Sequence, residues 1–192
     1  MGKNFNSYAD SEEILRFWTN LCREEGTLRH YEPGDHFIQE GEVAPYFGHI
    51  LEGALKYVTY DREGTEHVMG LEFKNGFVTD FPFSFTGQKS RLSVVAVTPC
   101  DILCVPSKRI GEMIRENADM MKMIAASTEL VFGMVYDRYK NLYTLSASER
   151  YLDLISHYPD LFAIYPLKDI ASFLRITPTH LSRLRKSVFN KC

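Results

Sequence analysis

The chain has 192 residues, of which 45% are hydrophobic and 24% charged, and its formal net charge is −3. Such a composition builds a globular core in one or two domains and excludes a polar, low-complexity chain. No apolar run reaches membrane-spanning length and the polar start has no signal-peptide core, so a cytoplasmic protein without a membrane partner is expected.

The charge is unevenly spread. Pro166 to Cys192 carries six Lys/Arg against one acid, a local +5 that leaves −8 for the rest. A basic tail on an acidic body suits local contact with a polyanion. Cysteines 22, 100, 104 and 192 are scattered, and Cys100 and Cys104 fall in an apolar, strand-like stretch. Buried reduced thiols explain them more simply than a metal site, and no metal is expected.

A first helix is expected from Ser11 to Cys22. Ser11 caps it, and Ile14, Leu15, Trp18, Leu21 and Cys22 form its apolar face. Trp18 reads as a packing anchor and not as a ligand platform. From Thr27 to Val105 short β-type runs alternate with turns: Leu28–Tyr31, His36–Gln39, Tyr46–Leu51, Ala54–Tyr60, Thr65–Phe73, Leu92–Val97 and Ile102–Val105. Most are punctuated by glycine; Thr98–Asp101 is read as the last turn. Many short strands with no helical pattern between them indicate a sandwich or jelly roll and rule out βαβ units.

A short helix opens at Ser107 or Lys108 with Ile110, Met113 and Ile114, and a long one runs from about Asn117 to Tyr143. On the long helix Met121, Ala125, Thr128, Phe132, Val135, Tyr139 and Leu142 recur at spacings of four and three, the a/d seam of a dimer helix. Met120, Ile124, Val131 and Met134 make a second line beside it. One line can pack on the chain's own β domain and the other on a partner helix; the alternative is one helix covered by its own domain on both sides. The length of the seam favours a homodimer.

Ser146-Ala147-Ser148-Glu149 is a capping box that starts a new helix, which His157-Tyr158-Pro159 ends. Leu161 to Tyr165 reads as a linker. Leu167, Ile170, Ala171 and Leu174 then share one helical face. Arg175-Ile176 is the turn, Thr177 the N-cap of the next helix, and Pro178 its first residue. Leu181 and Leu184 point inward, and Thr179, His180, Ser182, Arg183 and Lys186 outward. This is a helix-turn-helix suited to a DNA major groove, or, on pattern alone, a surface helical hairpin with ordinary basic residues. The expected fold class is therefore α+β: a jelly roll (double-stranded β-helix) over residues 1–116, a dimerisation helix over 117–144, and an all-α helix-turn-helix domain over 145–192.

That order of elements resembles the Crp/Fnr family of bacterial transcription regulators over nearly the whole chain. The strings that carry the resemblance are Pro33-Gly34-Asp35 with Gln39-Glu40-Gly41-Glu42, Leu51-Glu52-Gly53, Asn75-Gly76-Phe77, Glu149-Arg150-Tyr151-Leu152, and Pro166 to Leu174 with Ile176 to Lys186. The last two look most like the regulators of this type common in Bacteroidetes. The resemblance implies a cyclic-nucleotide-binding-type roll that senses a small-molecule effector, a homodimer, and double-stranded DNA as partner. It further implies RNA polymerase as a partner, through surfaces that leave no readable pattern. A signal in the roll would rotate the C-terminal domains about Tyr143–Ser146.

Three departures qualify it. Cyclic-AMP-binding members carry a Gly-Glu pair and, about ten residues later, an Arg-Ser pair, where this chain has Thr79-Asp80 and Ser90-Arg91. The arginine is displaced by one residue, which in a strand turns it to the other face. Phe81-Pro82-Phe83 also makes the loop bulky. The effector pocket is thus expected around Thr79, Asp80, Phe81, Ser90 and Arg91, with weak or no cyclic-AMP binding and no cofactor. A single cysteine before residue 100 argues against an iron–sulfur cluster, and the scattered histidines point neither way on haem. Only Ser187 to Cys192 follow the recognition helix, so no full β-hairpin wing is expected and affinity should rest on the helices and dimer pairing. Arg183 matches a base-contacting arginine of the family, while Pro178 and Thr179 replace an arginine and a base-reading glutamate.

The expected DNA-contacting set is Thr177, Thr179, His180, Ser182 and Arg183, with Lys168, Arg185 and Lys186 neutralising phosphates. Two rivals remain. A C-terminal domain that binds a protein instead of DNA would keep the sensing dimer. A cupin-like enzyme would need closely spaced histidines, but His30, His36, His49, His67, His157 and His180 contain no His-x-His pair. No nucleophile motif or phosphate-binding loop appears either, so no catalytic residue is expected.

Overall fold

The computed structural model describes residues 6–189. The fold is α+β, with an antiparallel β-roll followed by helices. One sheet holds β1 (Thr27–Tyr31), β8 (Cys100–Pro106), β3 (Tyr46–Glu52) and β6 (Phe77–Val78), in that order. The other holds β2 (His36–Ile38), β7 (Ser93–Ala96), β4 (Ala54–Tyr60) and β5 (Glu66–Phe73). Chain neighbours β1 and β2 lie in different sheets, as do β3 and β4, which is the crossing of a jelly roll. Phe37, Ile38, Ile50, Leu55, Val94 and Ile102 fill the space between the sheets.

The helices follow their caps. In α1 (Glu12–Glu25) the Ser11 hydroxyl accepts the Ile14 N–H at 3.4 Å, and Glu12 and Glu13 lie at the positive end of the helix dipole. Next come α2 (Ser107–Glu116) and α3 (Ala118–Thr144); Asn117 separates them and caps α3 by accepting the Asp119 N–H at 2.8 Å. The capping box of α4 (Ala147–His157) is formed as read: Glu149 accepts the Ser146 N–H at 2.8 Å and Ser146 accepts the Glu149 N–H at 3.2 Å. Short helix α5 (Leu161–Ile164) precedes α6 (Leu167–Phe173) and α7 (Pro178–Phe189). No helix among the described residues is long and apolar enough to cross a membrane.

Three details differ from the sequence reading. Strand β6 is two residues long, pairing with Gly48 and His49, too short to show a period. Strand β8 begins at Cys100, inside the expected turn, because Cys100 and Asp101 pair with Tyr31 and His30. The C-terminal unit has four helices, not three: Leu161–Ile164 forms one helical turn where a linker was read. Cys22, Cys100 and Cys104 are buried free thiols, and burial pushes Cys22 up to about 12 and Cys104 up to about 11. Cys192 lies outside the described residues, as does the end of the stretch read as lacking a wing.

The C-terminal unit does not hang from a bare hinge. Val58, Val68, Leu71 and Phe73 of the roll share one core with Leu154, Leu161, Tyr165, Ile170 and Leu181. Polar ties run through the same contact. The Tyr165 hydroxyl lies 2.8 Å from the Leu55 carbonyl and 2.7 Å from the Glu72 carbonyl. The Val68 N–H donates to the Ser172 hydroxyl at 2.9 Å. Lys56, buried in β4, meets Glu66 at 2.5 Å and Asp169 of α6 at 3.2 Å. Rotation about Tyr143–Ser146 therefore requires this interface to part.

Candidate functional site

Three surfaces carry the candidate residues. The first is the helix-turn-helix. Helix α6 ends in a Schellman motif: Ile176 N–H bonds the Ala171 carbonyl, Arg175 N–H bonds the Ser172 carbonyl, and Arg175 takes the left-handed conformation (φ 57°). Arg150, from the Glu149-Arg150 string, holds the turn by donating to the Leu145 and Leu174 carbonyls at 2.6 and 3.1 Å. Thr177 then caps α7 by accepting the His180 N–H at 3.2 Å. Leu181 is fully buried and Leu184 partly, which fixes the rotation of α7 on α6. Thr177, Thr179, His180, Arg183 and Lys186 are exposed as a result, and so is Lys168 on α6.

Two residues of the expected set stand differently. Ser182 is only half-exposed. Arg185 is turned inward, its guanidinium 4.0 Å above the Phe162 ring of α5, where a cation–π contact braces the unit. A phosphate role for Arg185 would have to break that contact.

The second surface is α3. Its line Met120, Ile124, Val131 and Met134 packs into the core closed by Trp18, Phe47 and Ile110. The expected seam faces away: Met121, Ala125, Phe132, Val135, Tyr139 and Leu142 are exposed, Phe132 at 69%, and Thr128 is half-buried with its hydroxyl on the Ile124 carbonyl. Tyr136 and Tyr143 widen the aromatic face beyond the seam; Phe132 stacks on Tyr136, and Tyr139 meets Tyr143.

The third feature is a cavity of about 230 Å³ between the roll and α3. Thr79, Asp80 and Phe81 line it, as expected, but Ser90 and Arg91 do not. The Ser90 hydroxyl is buried and donates to Asp80 Oδ2 at 2.7 Å, and the Arg91 N–H reaches the same oxygen at 3.4 Å. The Arg91 guanidinium lies outside, 4.7 Å above the Phe83 ring. This end of the cavity therefore presents Asp80, without the Arg91 cation.

The cavity's other polar end is absent from the sequence reading. Asn6 bridges Arg138 of α3 and Glu72 of β5: it accepts from Arg138 Nη2 at 2.6 Å and donates to Glu72 Oε1 at 2.7 Å. The Tyr8 hydroxyl also bonds Glu72, and accepts the Phe77 N–H at 3.0 Å. Burial raises the Glu72 carboxyl to about 7, against the opposing pull of Asn6, Tyr8, the Phe73 N–H and Arg138. Burial likewise lowers the Arg138 guanidinium, which Glu72 partly offsets. Trp18 anchors packing and also lines the cavity, donating its indole N–H to Ser127 at 2.9 Å. Two signals were available: a carboxylate set in the apolar run Leu71–Phe73, and an arginine continuing the inward line of α3 after Met134.

The profile of the cyclic nucleotide-binding domain matches residues 28–117. The cAMP-activated global transcriptional regulator CRP of Escherichia coli is 22% identical over 140 residues, 73% of this chain. The match spans 65% of that relative's length, just under two thirds. Among solved structures, FixK2 from Bradyrhizobium japonicum superposes with a TM-score of 0.76 at 16% identity, covering 86% of this chain and 85% of that one. A CRP/FNR-family transcriptional regulator from Thermus thermophilus gives 0.63 at 15% identity, covering 86% and 87%. Residues 28–117 thus match a cyclic nucleotide-binding domain, and the chain is similar in sequence and fold to regulators of the Crp/Fnr family.

Proposed function

We propose that this chain is a homodimeric, sequence-specific DNA-binding transcription regulator whose roll senses a small molecule. The observation that carries the reading is the exposed polar face of α7, Thr179, His180, Arg183 and Lys186, held out by a fully buried Leu181. Residues 1–116 serve sensing, 117–144 pairing and 145–192 DNA contact. Two α7 helices related by a two-fold axis along α3 enter successive major grooves about 34 Å apart and read a palindrome. Selection of bound sequences from a random DNA pool tests this directly: a palindromic consensus supports it. No salt-dependent binding to any DNA overturns it in favour of a protein-binding C-terminal unit.

Within that reading Arg183 contacts a base, most simply a guanine through two hydrogen bonds. Arg183→Ala is expected to weaken the selected site by about 1–3 kcal/mol and to relax the preference at one position. Competition gel shifts on single-base variants measure this; an equal loss on every sequence would make Arg183 a phosphate contact.

Cyclic AMP is not the effector in this reading. The cavity end where a phosphate would sit presents Asp80, and Arg91 lies outside it. Calorimetric titration with cyclic AMP is expected to show no binding at micromolar ligand; a micromolar dissociation constant refutes the assignment.

A further inference from the structure

We propose that the cavity between the roll and α3 receives a compact hydrophobic monocation, an aryl- or alkylamine in its protonated form. The proposal rests on the sensing reading above and deepens it by naming the ligand's chemistry.

The first argument is charge. The acidic and basic side chains that line the cavity are Glu72, Asp80 and Arg138, two carboxyl groups against one guanidinium. Arg138 is already engaged: it donates to Asn6 on one side, and its guanidinium lies 5.7 Å from the Phe173 ring of α6 on the other. An entering anion would meet two carboxylates in a poorly solvated space, whereas an ammonium offsets the excess negative charge.

The second argument is the wall. Trp18, Phe47, Tyr57, Phe77 and Phe81 supply aromatic surface around the acids. Aromatic faces attract cations, and more strongly where water is excluded. The third is size: about 230 Å³ holds a small, single-ring molecule rather than a nucleotide with its sugar and phosphate. Two of the lining residues are solvent-exposed and mark where the cavity can open: Met69, the extra residue of the β-bulge between β4 and β5, and Val135 of the exposed seam. A partner helix packed on that seam would cover the mouth and retain the ligand.

The proposal fixes the sign of a proton linkage. Glu72 is faced by Asn6 and Tyr8 from the N-terminal turn, Tyr57 from β4, Arg138 from α3 and Tyr165 from the C-terminal unit. Asp153 of α4 acts on Arg138. An ammonium beside Glu72 favours its ionised form, so binding expels the proton that Glu72 holds near neutrality. Amine binding therefore tightens as pH rises from 6 to 8; an organic acid would show the opposite trend.

The test uses the full chain without DNA, so its outcome is independent of whether the DNA-binding reading stands. Three probes of one shape and different charge are titrated: 2-phenylethylamine, 2-phenylethanol and phenylacetate. Emission of Trp18, the chain's one tryptophan, and calorimetry report binding. The amine is expected to bind at least tenfold tighter than the other two and to gain severalfold between pH 6 and pH 8. Glu72→Gln keeps the shape of the side chain and should remove both the amine preference and the pH trend. Asp80→Asn should reduce the preference on its own, which keeps the test decisive if Glu72→Gln fails to fold. Phenylacetate binding as well as the amine, affinity falling with pH, or no response to any probe each overturns the proposal.

Discussion

Phe132→Glu is expected to convert the protein from dimer to folded monomer and to cut affinity for a palindromic site by at least roughly 10²-fold. Phe132 is 69% exposed on the single chain, so the charge enters no core and the fold stands. In the proposed dimer the same residue would meet its copy across the two-fold axis, in an apolar seam with Val135 and Tyr139. There two carboxylates would be buried together without partners. The loss on DNA arises because paired recognition helices bind with a high effective concentration that a monomer lacks. Sedimentation equilibrium and gel shifts on one sample separate the two effects. A variant that stays dimeric with unchanged DNA affinity would mean that the seam is not the interface.

The second large effect is expected at the contact between the roll and the helix-turn-helix. Lys56→Met keeps the aliphatic stem but removes the cation that faces Glu66 and Asp169. The Asp169 side chain is only 5% exposed, so its carboxylate is left buried and uncompensated. A loss of about 3–5 kcal/mol is expected. Adding Asp169→Leu should restore most of it, since an apolar pair of similar volume escapes the desolvation cost. Burial pulls the Lys56 ammonium down, but its bonds to Glu66 and Asp169 outweigh this and hold it above the usual lysine value. Its stabilisation is therefore present below about pH 10 and lost as pH rises through the folded-state value. Urea unfolding followed by far-UV and Trp18 signals measures the loss. Because the pair joins two units, Lys56→Met should also separate the two transitions if the interface parts first. Equal stability of Lys56→Met and the parent would show that the pair adds nothing to the docking.

Both expectations rest on features of different legibility. The seam is a local property: residues three and four apart share a helix face wherever the helix sits. The two apolar lines of α3 were therefore readable, and the exposed one is where a partner was expected. The capping box at Ser146, the Thr177 cap and the inward Leu181 were readable for the same reason. The Lys56–Asp169 pair joins residues far apart in the chain, and no spacing rule connects them. Short elements were lost too: β6 and α5 span barely one period each, too few residues for a pattern to repeat.

The effector region shows the boundary most clearly. Asp80 and Ser90 were placed together by resemblance, and their 2.7 Å bond agrees. The Arg91 guanidinium stands apart from them, but not through strand alternation: Arg91 lies in the bend before β7 and does not line the cavity, although the sequence places it among the pocket residues. Glu72, Asn6 and Arg138 come from β5, the start of the chain and α3, and only the closed roll brings them to one cavity.

What the sequence determined by itself was the order of the longer strands and helices, their caps and their apolar faces, because these follow from dihedral preference and side-chain period within a few residues. What the tertiary structure decided was the chemistry of the cavity and the docking of the helix-turn-helix on the roll. Burial and charge pairing depend on which distant surfaces meet, and that is settled only when the sheets close and α3 lies across them.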